Sequence, residues 1–414
     1  MAEIVILEKQ RSSHHAKPLL NHFGERAIVE PDWRPDAIMI HDPDLVIAFE
    51  ESFCERGLCI ANMARHHIAR LQIMDGILEW RNTWTRTTTS VHRPLNQPVL
   101  SHKVACLGRA DARILESWGN VGKCEIVGTP RFDHLLEMGR SMRLEPITER
   151  AMRLLVMTAK TPGHTNEQIE ITYQSLVDLR DYLAQRNDIQ VIWRVTEGLH
   201  KRLGVRNTLK TIAGLELHQI LDQVDSVITT PSTVMLEAML FGHPVALLDY
   251  HNCPHYVPAA WRITCKEHIP KVIEDLFHPP LEHMLYQDYC LHDALSCRSP
   301  ALPRVVTLIE EMINIKRKHD EGEMKELVFP HRILDQPEEY VSWPNENFDL
   351  QELYPDHNVF TRRDLGEMQA ELEAALGTIN LMKNRVDILT RRLHRIPGYK
   401  LIRDVEKRLR QLRA

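Results

Sequence analysis

The apolar positions of this chain fall in short solid blocks: Ile4 to Leu7, Asp44 to Phe49, Val104 to Leu107, Glu125 to Val127, Arg153 to Met157, Ile189 to Val195, Ser226 to Thr229 and Val245 to Leu248. Blocks this short, with little polar alternation, predict strands covered on both faces, as in parallel sheets. Between them, helical spacing predicts helices over 59–67, 111–118, 166–185, 216–223, 269–276 and 302–317. Alternation of strand and helix predicts an α/β fold with doubly wound sheets. Gly128-Thr129-Pro130 breaks the rhythm, and it restarts at Arg153, so two domains are expected, 1–148 and 149–317.

After residue 317 the pattern changes. Residues 318–360 carry prolines at 330, 337, 344 and 355 with no period, and read as an irregular connector. Over 361–396, Leu365, Met368, Leu372, Ala375, Ile379, Met382, Val386, Leu389, Leu393 and Ile396 alternate spacings of three and four, which predicts a helical coiled-coil seam and a homo-oligomer. The other reading is an amphipathic helix lying on its own domain, which normally has a wider stripe. Pro397-Gly398 stops this helix, and 397–414 reads as a second, basic amphipathic helix.

The composition adds three things. Among 414 residues, 43% hydrophobic and 26% charged is the balance of a soluble globular protein. The amino-terminal Met-Ala-Glu-Ile-Val-Ile-Leu-Glu-Lys is strand-like and no apolar run has the length of a membrane span, so a cytoplasmic location is expected. Eight cysteines without CxxC spacing read as free thiols, not a zinc site. The net charge of −6 conceals nine Lys or Arg against two acids in 391–414, leaving the remainder at −13. The acidic body argues against nucleic-acid binding, while the basic tail suits an anionic membrane surface or a solvated helix.

The chemistry concentrates in Asp225 to Tyr250, which reads as strand, loop, helix, turn, strand. Ligands of open parallel sheets collect at the carboxyl ends of strands, where Thr230, Ser232 and Thr233 lie here. Hydroxyls and free N–H groups at that place suit phosphate, although the same residues also serve as plain helix caps.

The string Leu236, Glu237, Ala238, Met239, Gly242, Pro244, Val245, after a Ser/Thr loop, resembles the nucleotide-binding half of GT-B glycosyltransferases. EIVGTPRFDHL at 125–135 and LLVMTAKTPGHTNEQ at 154–168 resemble the members of that group that assemble bacterial surface carbohydrates, such as capsule, O-antigen and teichoic-acid-like polymers. The resemblance runs over about residues 1–315. It implies two Rossmann-like domains around a cleft, acceptor in the first and nucleotide-sugar donor in the second. It also implies transfer of a sugar or related group to a carbohydrate or lipid-linked acceptor, with Glu237 accepting from ribose hydroxyls.

Such a transfer needs a phosphate site and a base. For the donor, Thr230, Ser232, Thr233 and Glu237 are expected, with Lys160, Thr161 and His164 on the loop after Met157, and Arg194 at the end of the next strand. For the base, Glu50 directly follows an apolar block, and Asp75, His14 and His15 are the alternatives. Asp42-Pro43-Asp44 precedes a strand and reads as a turn, so neither a required metal nor another cofactor is expected. A UDP-sugar 2-epimerase would share this layout, but its Gly-Gly loop and Thr-Glu-Arg-Pro-Glu segment are replaced here by Thr-Pro-Ser-Thr and Tyr250 to Pro254. A non-catalytic scaffold assembled through the coiled coil is the third reading.

Overall fold

The computed structural model describes residues 2–9, 14–51, 55–85, 96–138, 141–196, 198–206 and 217–335, with 374, 376–378, 381–383 and 385. Two all-parallel sheets form its frame. The first contains β1 (Ile4–Leu7), β2 (Ala27–Glu30), β3 (Leu45–Ala48), β4 (Ala69–Ile73), β5 (Lys103–Cys106) and β6 (Cys124–Ile126), in spatial order β2-β1-β3-β4-β5-β6. The second contains β7 (Met152–Met157), β8 (Ile189–Arg194), β9 (Ser226–Thr229), β10 (Val245–Leu248) and β11 (Trp261–Ile263), in order β11-β10-β9-β7-β8.

The solid blocks are central: β1, β3, β5, β9 and β10 are buried at every position. Three strands fall outside the blocks: β4, interrupted by Arg70 and Gln72, and β2 and β11, which are edge strands. Each edge strand is covered on one face only, so β2 alternates buried and half-buried and β11 buried and exposed. The helix Leu281–Ala294 is missed for a related reason. Apolar residues lie all round it, with Leu281, Leu285, Tyr286 and Tyr289 exposed, so no single stripe marks it.

Each sheet reverses its winding direction once, between β1 and β3 in the first and between β7 and β9 in the second. At such switch points the loops leave in opposite directions and open a crevice at the carboxyl ends of the strands. The two crevices face one another, because one apolar cluster runs through both domains. It joins Val104, Leu115, Phe132 and Leu135 to Leu155, Val227, Met235, Leu236 and Leu291.

The helix Ala301–Asp320 lies mostly within the 149–317 span, yet it packs on the first sheet. Its stripe Val305, Leu308, Ile309, Met312, Ile313 meets Ile4, Ile6, Leu45, Ile47 and Leu71. The segment after it is tied down by a buried pair: Lys103 Nζ donates to Glu125 Oε1 (2.7 Å), Gly122 O (2.9 Å) and His331 O (3.0 Å). Glu125 in turn accepts from the N–H groups of Ile333 and Leu334.

Most of the expected coiled coil and all of the basic tail 397–414 lie outside the described residues. Of the ten seam positions only Met382 is described, and it is 63% exposed. Ala374 is buried, and Gly377 lies against Leu58. Among the described residues no helix is long and apolar enough to cross a membrane.

Candidate active site

The cleft is lined from below by the first domain. The loop after β1 brings His14 and His15, the end of β3 brings Glu50, the end of β4 brings Asp75, and the turn after β6 brings Arg131. Asp75 opens onto the cleft, but the surrounding walls desolvate it. Burial and then the charge of Glu50 push its carboxyl up to about 6, against the pull of Arg131. Burial also lowers both histidines, with help from Arg131, and His15 falls to about 3, so both rings are neutral near pH 7. Beside His15 and Arg131 is a cavity of about 10 Å³, walled by Leu19, Phe49, Ile73 and Met74, which is room for one water.

From above, the second domain offers the loops after β7, β8 and β9. Thr230 Oγ1 accepts from Ala159 N–H (2.7 Å), which ties the loop after β9 to the loop after β7. Thr233 Oγ1 accepts from Ile77 N–H (3.1 Å), which ties it to the first domain. Gly76 makes that approach possible, since a Cβ there would stand 2.5 Å from the same hydroxyl. Ser232 is the remaining hydroxyl of the three, and its Oγ is buried without a hydrogen-bond partner among the described residues. Lys160 and Thr161 are exposed on the loop after β7, and the charge of Lys160 is felt by His14 across the cleft. That loop is held by a cap: Thr165 accepts from Gln168 N–H, and the Gln168 amide oxygen accepts from His164 N–H.

Glu237 sits where the two halves meet. Burial raises its carboxyl, offset by the charges of Arg131 from one domain and Arg194 from the other. Burial lowers both guanidinium groups in turn. The Nε atoms of Arg131 and Arg194 are buried without hydrogen-bond partners among the described residues. Arg194 and Glu237 are expected from the sequence, and Arg131 is not. The signal for it is present, because Arg131 follows the Gly128-Thr129-Pro130 break at the carboxyl end of a strand, the same position that singles out Glu50 and Asp75.

A second polar group closes the cleft beside β10. Asp249 accepts from His255 Nε2 (2.7 Å), and Glu79 pairs with Arg81, whose side chain is almost fully buried. Burial works to raise Asp249, but the His255 hydrogen bond and the charge of Arg81 bring it below the usual carboxylate range. The sequence gives no signal for this group, since its members come from loops some 170 residues apart.

Asp42-Pro43-Asp44 forms a turn with Asp42 at φ 49°, and the Asp44 carboxylate accepts from Arg317 at the amino end of the first sheet, away from the cleft. Among the described residues no group of three or more His, Cys, Asp or Glu is placed to hold a metal ion. A groove of about 400 Å³ lies at the amino ends of β4 to β6 beside Arg70, His102 and Lys123. The smaller crevice is the better candidate because open α/β sheets hold ligands at strand carboxyl ends.

No protein-family model and no curated protein matches the sequence. Solved structures do match. A co-structure of S. aureus MnaA with UDP has a TM-score of 0.54 at 14% identity, over 76% of this chain and 97% of that one. A UDP-N-acetylglucosamine 2-epimerase has a TM-score of 0.46 at 15% identity over 80% and 99%, and the wall teichoic acid polymerase TagF 0.48 at 11% over 77% and 90%. With two parallel sheets, facing switch points and nearly the whole length of the MnaA chain matched, the protein has a GT-B-type fold.

Proposed function

We propose that this chain is an enzyme acting on a nucleotide-activated sugar. It moves the sugar, or a related group, from a donor on the second domain to a surface-carbohydrate acceptor on the first. The observation that carries this reading is a pair of buried polar atoms on the strand-end loops of the second domain that have no hydrogen-bond partner among the described residues, Ser232 Oγ and Arg194 Nε. Leaving such an atom unpaired costs about 1–3 kcal/mol, and a bound phosphate supplies the missing acceptor oxygens. Glu237 is suited to accept from ribose hydroxyls. Thr230 and Thr233 shape the loop, and Lys160, Thr161 and His164 border the phosphates.

The acceptor hydroxyl gives its proton to Asp75 as its oxygen bonds to the transferred carbon. The bond from that carbon to the phosphate oxygen breaks, with its electron pair remaining on the phosphate. Asp75 is preferred to Glu50 as the base because its desolvation brings it toward the operating pH. Glu50 supports that shift by its charge. His14 and His15, neutral, serve as hydrogen-bonding walls. No metal enters the scheme.

Calorimetry of the full chain with UDP, CDP, CMP and their sugar conjugates tests this. At least one nucleotide binds, and Ser232→Ala with Arg194→Gln weakens it about tenfold or more, the loss expected for hydrogen bonds to a charged group. Asp75→Asn keeps donor binding and abolishes transfer. Absence of binding by every nucleotide refutes the reading. An epimerised free nucleotide sugar moves it to a 2-epimerase, and binding without turnover of any donor moves it to a scaffold.

Two further parts of the proposal concern the carboxyl-terminal region: self-association through 361–396, and contact of the basic 391–414 with an anionic membrane surface at the cytoplasmic face. Truncation after Asn358 is expected to yield a monomer by sedimentation that still binds nucleotide and no longer binds anionic vesicles. A truncated protein that stays oligomeric refutes the first part, and a full-length protein that ignores such vesicles at low salt refutes the second.

A further inference from the structure

Arg131 reaches the cleft from the acceptor side and acts electrostatically on residues of both domains. Its charge is felt by Asp75, His14 and His15 below and by Glu237 above. Its mount is rigid. Gly128 takes φ +84° and passes so close to Ser296 that a Cβ would stand 2.5 Å from that carbonyl oxygen. Pro130 opens the short turn Pro130–Phe132, and the Phe132 ring lies 4.5 Å from the Arg131 guanidinium carbon. Asp133 then pins the turn to the helix Ala301–Asp320 by accepting from the N–H groups of Ala301 (2.7 Å) and Leu302 (2.8 Å). Arg304 of that helix reaches back to Val127 O (2.8 Å).

A guanidinium on so firm a backbone turn, with its Nε buried and without a hydrogen-bond partner among the described residues, is costly for a structural residue. Its carboxylate neighbour Glu237 is shared with Arg194. Two forked cations beside one carboxylate leave donor capacity that an oxyanion with several acceptor oxygens would use.

We propose that Arg131 is a phosphate ligand supplied across the cleft: it binds the donor's phosphate group from the acceptor domain, opposite Ser232 and Arg194. The proposal rests on the donor site described above. Its consequence is that the charge developing on the leaving phosphate is neutralised fully only while the two domains hold the phosphate between them. Because the mount belongs to the first domain, phosphate binding also links the domains directly.

The test uses inorganic pyrophosphate as probe on the full chain, titrated by calorimetry against wild type, Arg131→Gln, Arg131→Lys and Ser232→Ala/Arg194→Gln. Arg131→Gln is expected to weaken pyrophosphate tenfold to a hundredfold, on the order of a lost charge-assisted pair. Arg131→Lys, which keeps the charge without the fork, is expected to recover part of that loss. Small-angle scattering is expected to show a ligand-induced compaction in wild type that Arg131→Gln lacks. If the Ser232/Arg194 variant loses pyrophosphate and the Arg131 variants do not, the Arg131 assignment is overturned and the donor site stands. If no variant differs from wild type, both are overturned. Should Arg131→Gln fail to fold, Arg131→Lys decides alone: affinity equal to wild type overturns the forked contact.

Discussion

Replacing Gly76 by alanine tests whether Thr233 belongs to the contact between the domains. Gly76 does not have a positive φ, so alanine brings no backbone strain, only an added methyl group. That methyl carbon would stand 2.5 Å from Thr233 Oγ1 and 3.8 Å from Thr233 Cβ, so the hydroxyl alone is in the way. Relief can come by rotating Thr233, which forfeits its hydrogen bond from Ile77 N–H (3.1 Å), at a net cost of about 1 kcal/mol. It can also come by prising the loops apart, which as overpacking costs about 1–3 kcal/mol. Either way Gly76→Ala destabilises by at least about 1 kcal/mol in the wild-type background. In a Thr233→Ala background the obstacle is gone, and the same change costs less than about 0.5 kcal/mol, as surface substitutions do. The four proteins of this cycle, unfolded in urea, are expected to give a coupling of at least about 0.5 kcal/mol between the two positions. An equal cost for Gly76→Ala in both backgrounds would refute the interdomain contact and return Thr233 to the donor site alone.

Turnover is expected to rise with pH through about 6, because Asp75 is a base only when ionised and its carboxyl is pushed to about 6. Glu50→Gln removes a charge that raises Asp75 and moves that limb to lower pH, whereas Arg131→Gln removes one that lowers it and moves the limb to higher pH. Shifts of the same sign in pH–rate profiles would exclude Asp75. Lys103→Met leaves Glu125 buried without its cation and two carbonyls without a donor, and is expected to cost about 3–5 kcal/mol in urea unfolding. The region around His331 and Ile333 should become sensitive to limited proteolysis in the same variant, and unchanged protection would show that the pair does not anchor it.

The parallel α/β frame is readable from the chain because burial on both faces leaves a mark in consecutive residues. Blocks such as Ile4 to Leu7 and Val245 to Leu248 have no polar side to show, and they are the central strands. From block order alone the strand-end loops follow, and with them the positions of Glu50, Thr230, Ser232, Thr233, Lys160 and Arg194. Edge strands β2 and β11 escape because one-sided cover turns a block into alternation too short to recognise.

What the site does with those residues is decided by distances that no local pattern encodes. Thr230 and Thr233 look equivalent to Ser232 in the chain. Backbone N–H groups 71 and 156 residues away bind the first two, while the third has no partner among the described residues. Arg131 gains its place only because a glycine turn and the helix Ala301–Asp320 hold it opposite Glu237, 106 residues further on. The burial and the Glu50 charge that raise Asp75 likewise depend on the packing of separate strand-end loops. Periodicity records which side of an element meets a core. Which charges share a desolvated cleft depends on how separate elements pack, and that information resides only in the assembled fold.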